Sequence, residues 1–238
     1  IDTSVEVLPE LTAGEVDFSN YVAIGASFTA GLTDGGLFIA AQENSFPNQL
    51  ATQFAKAGSG DFIQPLMNDN IGGLLFAGNV IQGPRLFFDG SGPASLPATP
   101  TTEVTSVLSG PFNNMGVPGA KSFHILAPGY GNVAGVPVGL ANPYFARMAT
   151  SPGTTVLADA LAQAPTFFTL SEMGGNDILF YATSGGSGVD QTGNFDPSTY
   201  GRNDITDPNV FAQAFSGTIA ALTQNGAKGV VTTVPDIT

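Results

Sequence analysis

The chain predicts an α/β domain in three layers, α/β/α, with a mainly parallel sheet covered by helices on both faces. Three observations carry this expectation. A short apolar run at Tyr21-Val22-Ala23-Ile24-Gly25 has the signature of a buried strand, and Thr166-Phe167-Phe168-Thr169-Leu170 and Lys228-Gly229-Val230-Val231-Thr232-Thr233-Val234 read as two further strands. Segments with apolar residues at helical spacing alternate with them, which argues for parallel rather than hairpin connections. Small-residue turns follow the strands or extended runs, at Ala26-Ser27, at Gly119 and at Gly174-Gly175-Asn176-Asp177.

In chain order, residues 1–19 are acidic and aperiodic and read as a lead-in arm to a domain covering 20–238. The first strand runs straight into Ser27. A helix is expected over Phe46–Ala57, where Leu50, Phe54 and Ala57 recur at helical spacing. Residues 58–112 are irregular and rich in Gly and Pro, with a strand entering a turn at Leu86-Phe87-Phe88-Asp89-Gly90. The stretch reads as a long loop insertion that decorates the surface or walls a pocket. Helices are expected from about Ala120 and over Val156–Gln163. The last helix starts at Asp207-Pro208, with Asp as N-cap and Pro in the first turn, and presents Phe211, Phe215, Ile219 and Leu222 before stopping at Asn225-Gly226.

Composition narrows function. Nineteen acids against six bases give a formal net charge of −13, which repels a phosphate backbone and an anionic membrane surface, so neither nucleic acid nor membrane is an expected partner. There are no cysteines, which removes disulfides, thiolate metal sites and cysteine nucleophiles. No apolar stretch approaches the roughly 20 residues of a membrane span.

In an open parallel sheet, the turns at the carboxyl ends of the strands form the ligand-binding edge. The three turns would bring a hydroxyl (Ser27), a glycine-framed backbone N–H (Gly119) and a carboxamide (Asn176) to one crevice. Acyl transfer uses that set: a nucleophile, with donors aimed at the developing oxyanion. Alone, each has a simpler reading, Ser27 as a helix N-cap and Asn176 as a turn residue. The Ser27 turn is neither a Gly-x-Ser-x-Gly elbow, since the next glycine is Gly31, nor a phosphate loop.

Taken together the blocks carry a resemblance. Ile24-Gly25-Ala26-Ser27-Phe28-Thr29-Ala30-Gly31, Asn114-Met115-Gly116-Val117-Pro118-Gly119-Ala120 and Gly174-Gly175-Asn176-Asp177 resemble, in order and rough spacing, the first three blocks of the SGNH/GDSL hydrolases. Gln42-Glu43-Asn44-Ser45-Phe46-Pro47, Asn68-Asp69-Asn70-Ile71-Gly72-Gly73 and Thr233-Val234-Pro235-Asp236 are similar to exported GDSL-like lipoproteins of the Bacteroidetes type, and the resemblance runs from about Phe18 onward. It implies a flavodoxin-like SGNH fold and a serine esterase working through an acyl-enzyme on a lipid or an acylated glycan. It implies Ser27 as nucleophile, an oxyanion hole from the N–H groups of Ser27 and Gly119 and the Asn176 amide, and Gly116 and Gly119 as points where the backbone turns and approaches substrate. It implies no metal and no organic cofactor, and an exported, periplasmic or cell-surface protein that is lipid-anchored in its precursor.

The sequence departs from the family pattern twice. Ala26 stands where the family has an acid that supports the nucleophile turn, and the final Asp-x-x-His block is missing, so this chain reads as an N-terminal portion whose partner could be its own C-terminal fragment. These departures favour an alternative, a catalytically impaired or inactive SGNH-fold surface module that binds glycan or lipid. The only histidine, His124, lies beside Phe123 and Ile125 and reads as a packed residue rather than the missing base. The loop from Asp190 to Asp207 holds oxygen ligands of the type calcium favours, but their spacing matches no EF-hand, and it reads as a solvated loop.

Overall fold

A computed structural model describes residues 11–234. The first apolar run forms strand β1 (Tyr21–Gly25), and a four-residue helix α1 (Ser27–Ala30) follows one residue later. Helices α2 (Ile39–Glu43) and α3 (Phe46–Ala55) come next, α3 within two residues of its expected end. The 58–112 stretch, expected to be largely irregular, holds two small antiparallel hairpins: β2 (Leu74–Phe76) with β3 (Asn79–Gln82), and β4 (Leu86–Phe88) with β5 (Pro93–Ser95). Strand β6 (Asn114–Gly116), helix α4 (Pro143–Ala146), helix α5 (Val156–Leu161), strand β7 (Phe167–Leu170), helix α6 (Gly175–Thr183), helix α7 (Pro208–Thr223) and strand β8 (Lys228–Val231) complete the order. The helix expected from Ala120 is instead a 3-10 turn at Ser122–Leu126.

The main sheet is four-stranded and parallel in the order β6-β1-β7-β8. The chain leaves β1 to one side, forms β6, and returns across β1 to form β7. The carboxyl ends of β1 and β7 therefore flank a topological switch point, where open parallel sheets bind ligands.

The pleat of β1 sends Val22 and Ile24 to one face and Tyr21 and Ala23 to the other. On the first face they pack with Phe168, Leu170 and Met115 against Val156, Leu157 and Ala160 of α5 and Ala214 and Leu222 of α7. On the second face Tyr21, Ala23 and Phe167 pack against Ala51, Leu50 and Phe54 of α3. Phe18, assigned from sequence to the lead-in arm, stacks on Phe54 at 4.2 Å and meets Phe167 edge-on at 4.8 Å. Helices thus cover both faces of the sheet at β1 and β7, while the edge strand β8 is exposed along its length, and each large side chain buried between the layers contributes about 1.5–3 kcal/mol.

Helix α7 starts where Asp207 and Pro208 predict: the Asp207 carboxylate accepts from the N–H groups of Asn209 (2.8 Å) and Val210 (3.1 Å). Its buried stripe is displaced by one residue from the expected one. Val210, Ala214, Thr218 and Leu222 are buried, with Phe215 and Ile219 only partly so. Small residues on the inner line let the helix axis approach the sheet, and the larger rings flank the contact.

Candidate functional site

The three turns singled out in the sequence meet at the carboxyl edge of the sheet. The Val117 N–H donates to the Gly25 carbonyl (2.9 Å), tying the turn after β6 to the end of β1, and the Ser171 N–H donates to the Ile24 carbonyl (2.9 Å), tying in the turn after β7. Gly25 and Ala26, Ala120 to Ser122, and Ser171 to Met173 together line a cavity of about 10 Å³, at the lower limit of the space that admits one water molecule.

Two glycines are required by this closeness. A Cβ on Gly25 would lie 2.1 Å from Thr29 Oγ1 and 2.6 Å from the Ser171 carbonyl oxygen, and one on Gly116 would lie 2.3 Å from the Ala30 nitrogen. Gly116 therefore lets β6 pack against α1. Gly119 is different: a Cβ there would meet only Phe180, at 4.0 Å, but its φ of +82° is left-handed and favours glycine.

Ser27 is the first residue of α1 and half-buried. Its neighbour Ala26 has no side-chain oxygen to cap the helix, and the cap comes from across the sheet edge. The Glu172 carboxylate accepts from the N–H groups of Ala26 (3.2 Å), Phe28 (2.9 Å) and Thr29 (2.8 Å) and from the Thr29 hydroxyl (2.9 Å). The Ser27 N–H, in the middle of this series, is outside the set. Glu172 was not singled out from sequence. No local signal marks it, because it meets the turn it caps only through the parallel pairing of β1 with β7.

Asn176 lies in the first turn of α6, with its side-chain amide donating to the Ala120 carbonyl (2.8 Å), so it spans the turns after β7 and β6. The next residue, Asp177, is buried. Its carboxylate accepts from the Ser122 N–H (2.9 Å) and hydroxyl (2.7 Å), which fixes the segment just after Gly119. Lys121 is also buried, and its ammonium donates to the Asp204 carbonyl (2.6 Å). Burial lowers the Lys121 pKa, while the nearby Asp177 and Asp204 charges oppose the shift.

His124 is packed by contacts of its own. Its Nδ1 accepts from the Lys121 N–H (3.0 Å), and its ring stacks on Tyr130 at 4.3 Å with 6° between the planes. Burial, aided by the Lys121 charge, lowers its pKa from 6.5 to about 4. An unfolded chain takes up this proton near pH 6.5 and the folded chain only near pH 4, so between these values the unfolded state binds more protons. Stability falls as pH falls through that window, by about 2 kcal/mol between pH 7 and pH 5. As this is the only histidine in the chain, His124→Gln should flatten the slope of unfolding free energy against pH in urea titrations. An unchanged slope would refute the neutral, packed imidazole.

His124 also lines the largest of the open grooves described, about 720 Å³, together with Phe123, Tyr130, Leu140, Phe195 and Tyr200. Ser27, Gly119 and Asn176 are not among its lining residues. In the Asp190–Asp207 loop the carboxylates accept from groups of the loop and its flanks: Asp190 from Thr192, Asp196 from Ser198, Asp204 from Val189, Gln191 and Gly201, and Asp207 from Gly193 and from Asn209 and Val210 of α7. Among the described residues no three His, Asp or Glu side chains gather into a metal-holding group, and no helix is long and apolar enough to cross a membrane.

Comparison of the chain with protein-family profiles, with curated proteins and with solved structures finds no match.

Proposed function

We propose that this protein belongs to a serine esterase lineage of the SGNH/GDSL type, with Ser27 as the nucleophile that forms an acyl-enzyme on a lipid or acylated-glycan ester. The observation that carries the reading is the meeting of three turns at the switch-point edge of the sheet. These turns carry Ser27, Gly119 and Asn176, and hydrogen bonds from Val117 to Gly25 and from Asn176 to Ala120 hold them together. Beside the hydroxyl, Phe28 is 69% exposed and offers an apolar surface to an acyl chain.

In this reading Ser27 attacks the ester carbonyl. The N–H groups of Ser27 and Gly119 and the free N–H of the Asn176 amide receive the oxyanion. A base has to take the Ser27 proton, and His124 is committed elsewhere. The resemblance assigns that role to an Asp-x-x-His block, which is not among the 238 residues. Ala26, standing beside the serine where the resemblance expects an acid, favours a second reading, a glycan- or lipid-binding surface module on the same fold.

A fluorophosphonate probe separates the two. In a protein in which this chain is followed by an Asp-x-x-His block, the expected result is covalent labelling at Ser27, lost in Ser27→Ala. In Asn176→Ala it should slow by roughly 10²–10³-fold, the usual cost of removing one oxyanion donor. Absence of labelling in that protein would overturn the esterase and leave the binding module.

A further inference from the structure

We propose that Glu172 is the positioning residue of the Ser27 turn: its carboxylate, delivered from the end of β7, sets the orientation of the first turn of α1 and with it the Ser27 hydroxyl. The inference rests on the esterase reading for its catalytic consequence, but its structural half stands on hydrogen bonds alone.

A helix begins with N–H groups that have no intrahelical partner, and a side chain at the N-cap normally takes one or two of them. Ala26 offers none, and α1 is too short to hold itself in place by its own ladder. Glu172 takes the N–H groups of Ala26, Phe28 and Thr29 together with the Thr29 hydroxyl. Two oxygens bound to groups on either side of Ser27 restrain both the position and the rotation of the turn. The Ser27 N–H stays outside the set, as an oxyanion donor must.

The backbone of Glu172 supports a functional constraint. Its φ is +62°, in the left-handed region, which a glutamate seldom occupies. Such conformations persist where the surroundings over-determine them. Here the Ser171 N–H donates to the Ile24 carbonyl, the Glu172 N–H to the Thr232 hydroxyl (3.1 Å), and the Glu172 carbonyl accepts from the Gly175 N–H (2.8 Å), so the strained residue is fixed on both sides with its side chain aimed back at α1. A glycine or asparagine would relieve the backbone but could not place a carboxylate against Phe28 and Thr29.

Glu172→Asn isolates the side chain, because asparagine tolerates the left-handed backbone and is too short to reach. Glu172→Gln keeps the length and one acceptor oxygen. Amide exchange followed by NMR is expected to accelerate roughly 10- to 100-fold at Phe28 and Thr29 in Glu172→Asn, with Val22 and Ile24 unchanged and Glu172→Gln in between, on the scale of losing bonds to a charged acceptor. With the fluorophosphonate, the maximal inactivation rate should fall at least roughly 10-fold in Glu172→Asn while the half-saturating probe concentration stays within about two-fold, because the turn is mispositioned and the binding surface is intact.

Unchanged exchange at Phe28 and Thr29 overturns the proposal, as does an inactivation rate equal to wild type. If the wild-type protein takes no label, the esterase reading fails by itself, and the exchange measurement alone then decides whether Glu172 holds the turn.

Discussion

Replacing Gly116 by alanine is expected to lower the free energy of unfolding by about 3 kcal/mol, the upper end of the range for a methyl group forced into a packed core. The new Cβ would lie 2.3 Å from the Ala30 nitrogen, 2.7 Å from the Thr29 carbonyl carbon and 2.8 Å from the Ala30 Cα. All three are backbone atoms of α1, so no side chain can rotate away, and β6 must separate from the helix that carries Ser27. Gly119→Ala is the control. It meets no atom closer than 4.0 Å but keeps a φ of +82°, so it should cost only the left-handed strain, about 1–2 kcal/mol. Urea unfolding midpoints at a common slope measure both. If Gly116→Ala were as mild as Gly119→Ala, the close approach of β6 to α1 would be wrong.

Asp177→Ala is expected to cost a similar amount, about 3 kcal/mol, for an electrostatic rather than a steric reason. Removing the carboxylate strips two hydrogen bonds from Ser122, whose side chain is 1% exposed, and leaves its N–H and hydroxyl without partners in a site closed to water. Unsatisfied buried groups of this kind cost about 1–3 kcal/mol each. The variant also removes a negative charge that favours the buried Lys121 ammonium. Asp177→Asn keeps the shape and one acceptor and should lose less. The order wild type, Asn, Ala in thermal or urea unfolding is the expected outcome; equal stability of all three would show that the Ser122 contacts contribute nothing.

Both positions lie inside motifs visible in the sequence, yet their roles were not. The Asn114-to-Ala120 block was legible as a small-residue turn, but the strand within it was not. Three residues, Asn114, Met115 and Gly116, are too few to show a period, and they become a strand only because β1 offers an edge to pair with. The helix expected after Ala120 gave way to a 3-10 turn. Lys121 and Ser122 there answer to Asp204 and Asp177, and those tertiary partners outweigh local propensity. The β2–β3 hairpin shares that cause, since short strands with Gly and Pro around them carry little signal until they pair, whereas β4 stands where Leu86-Phe87-Phe88-Asp89-Gly90 reads as a strand entering a turn.

What the sequence by itself determined is the sheet and its flanking helices. Strands β1, β7 and β8 and helices α3, α5 and α7 stand close to where apolar runs, helical spacing and the Asp207-Pro208 cap place them, because those signals are local; β1 and β7 are buried, whereas β8 pairs with β7 but is exposed along its length. The tertiary structure alone decided how the Ser27 turn is held. Position 26 lacks the atom that would cap the helix locally, and the carboxylate that takes its place belongs to Glu172, 146 residues on from Ala26. That contact exists only once β1 and β7 lie side by side, so no reading of either segment alone could contain it.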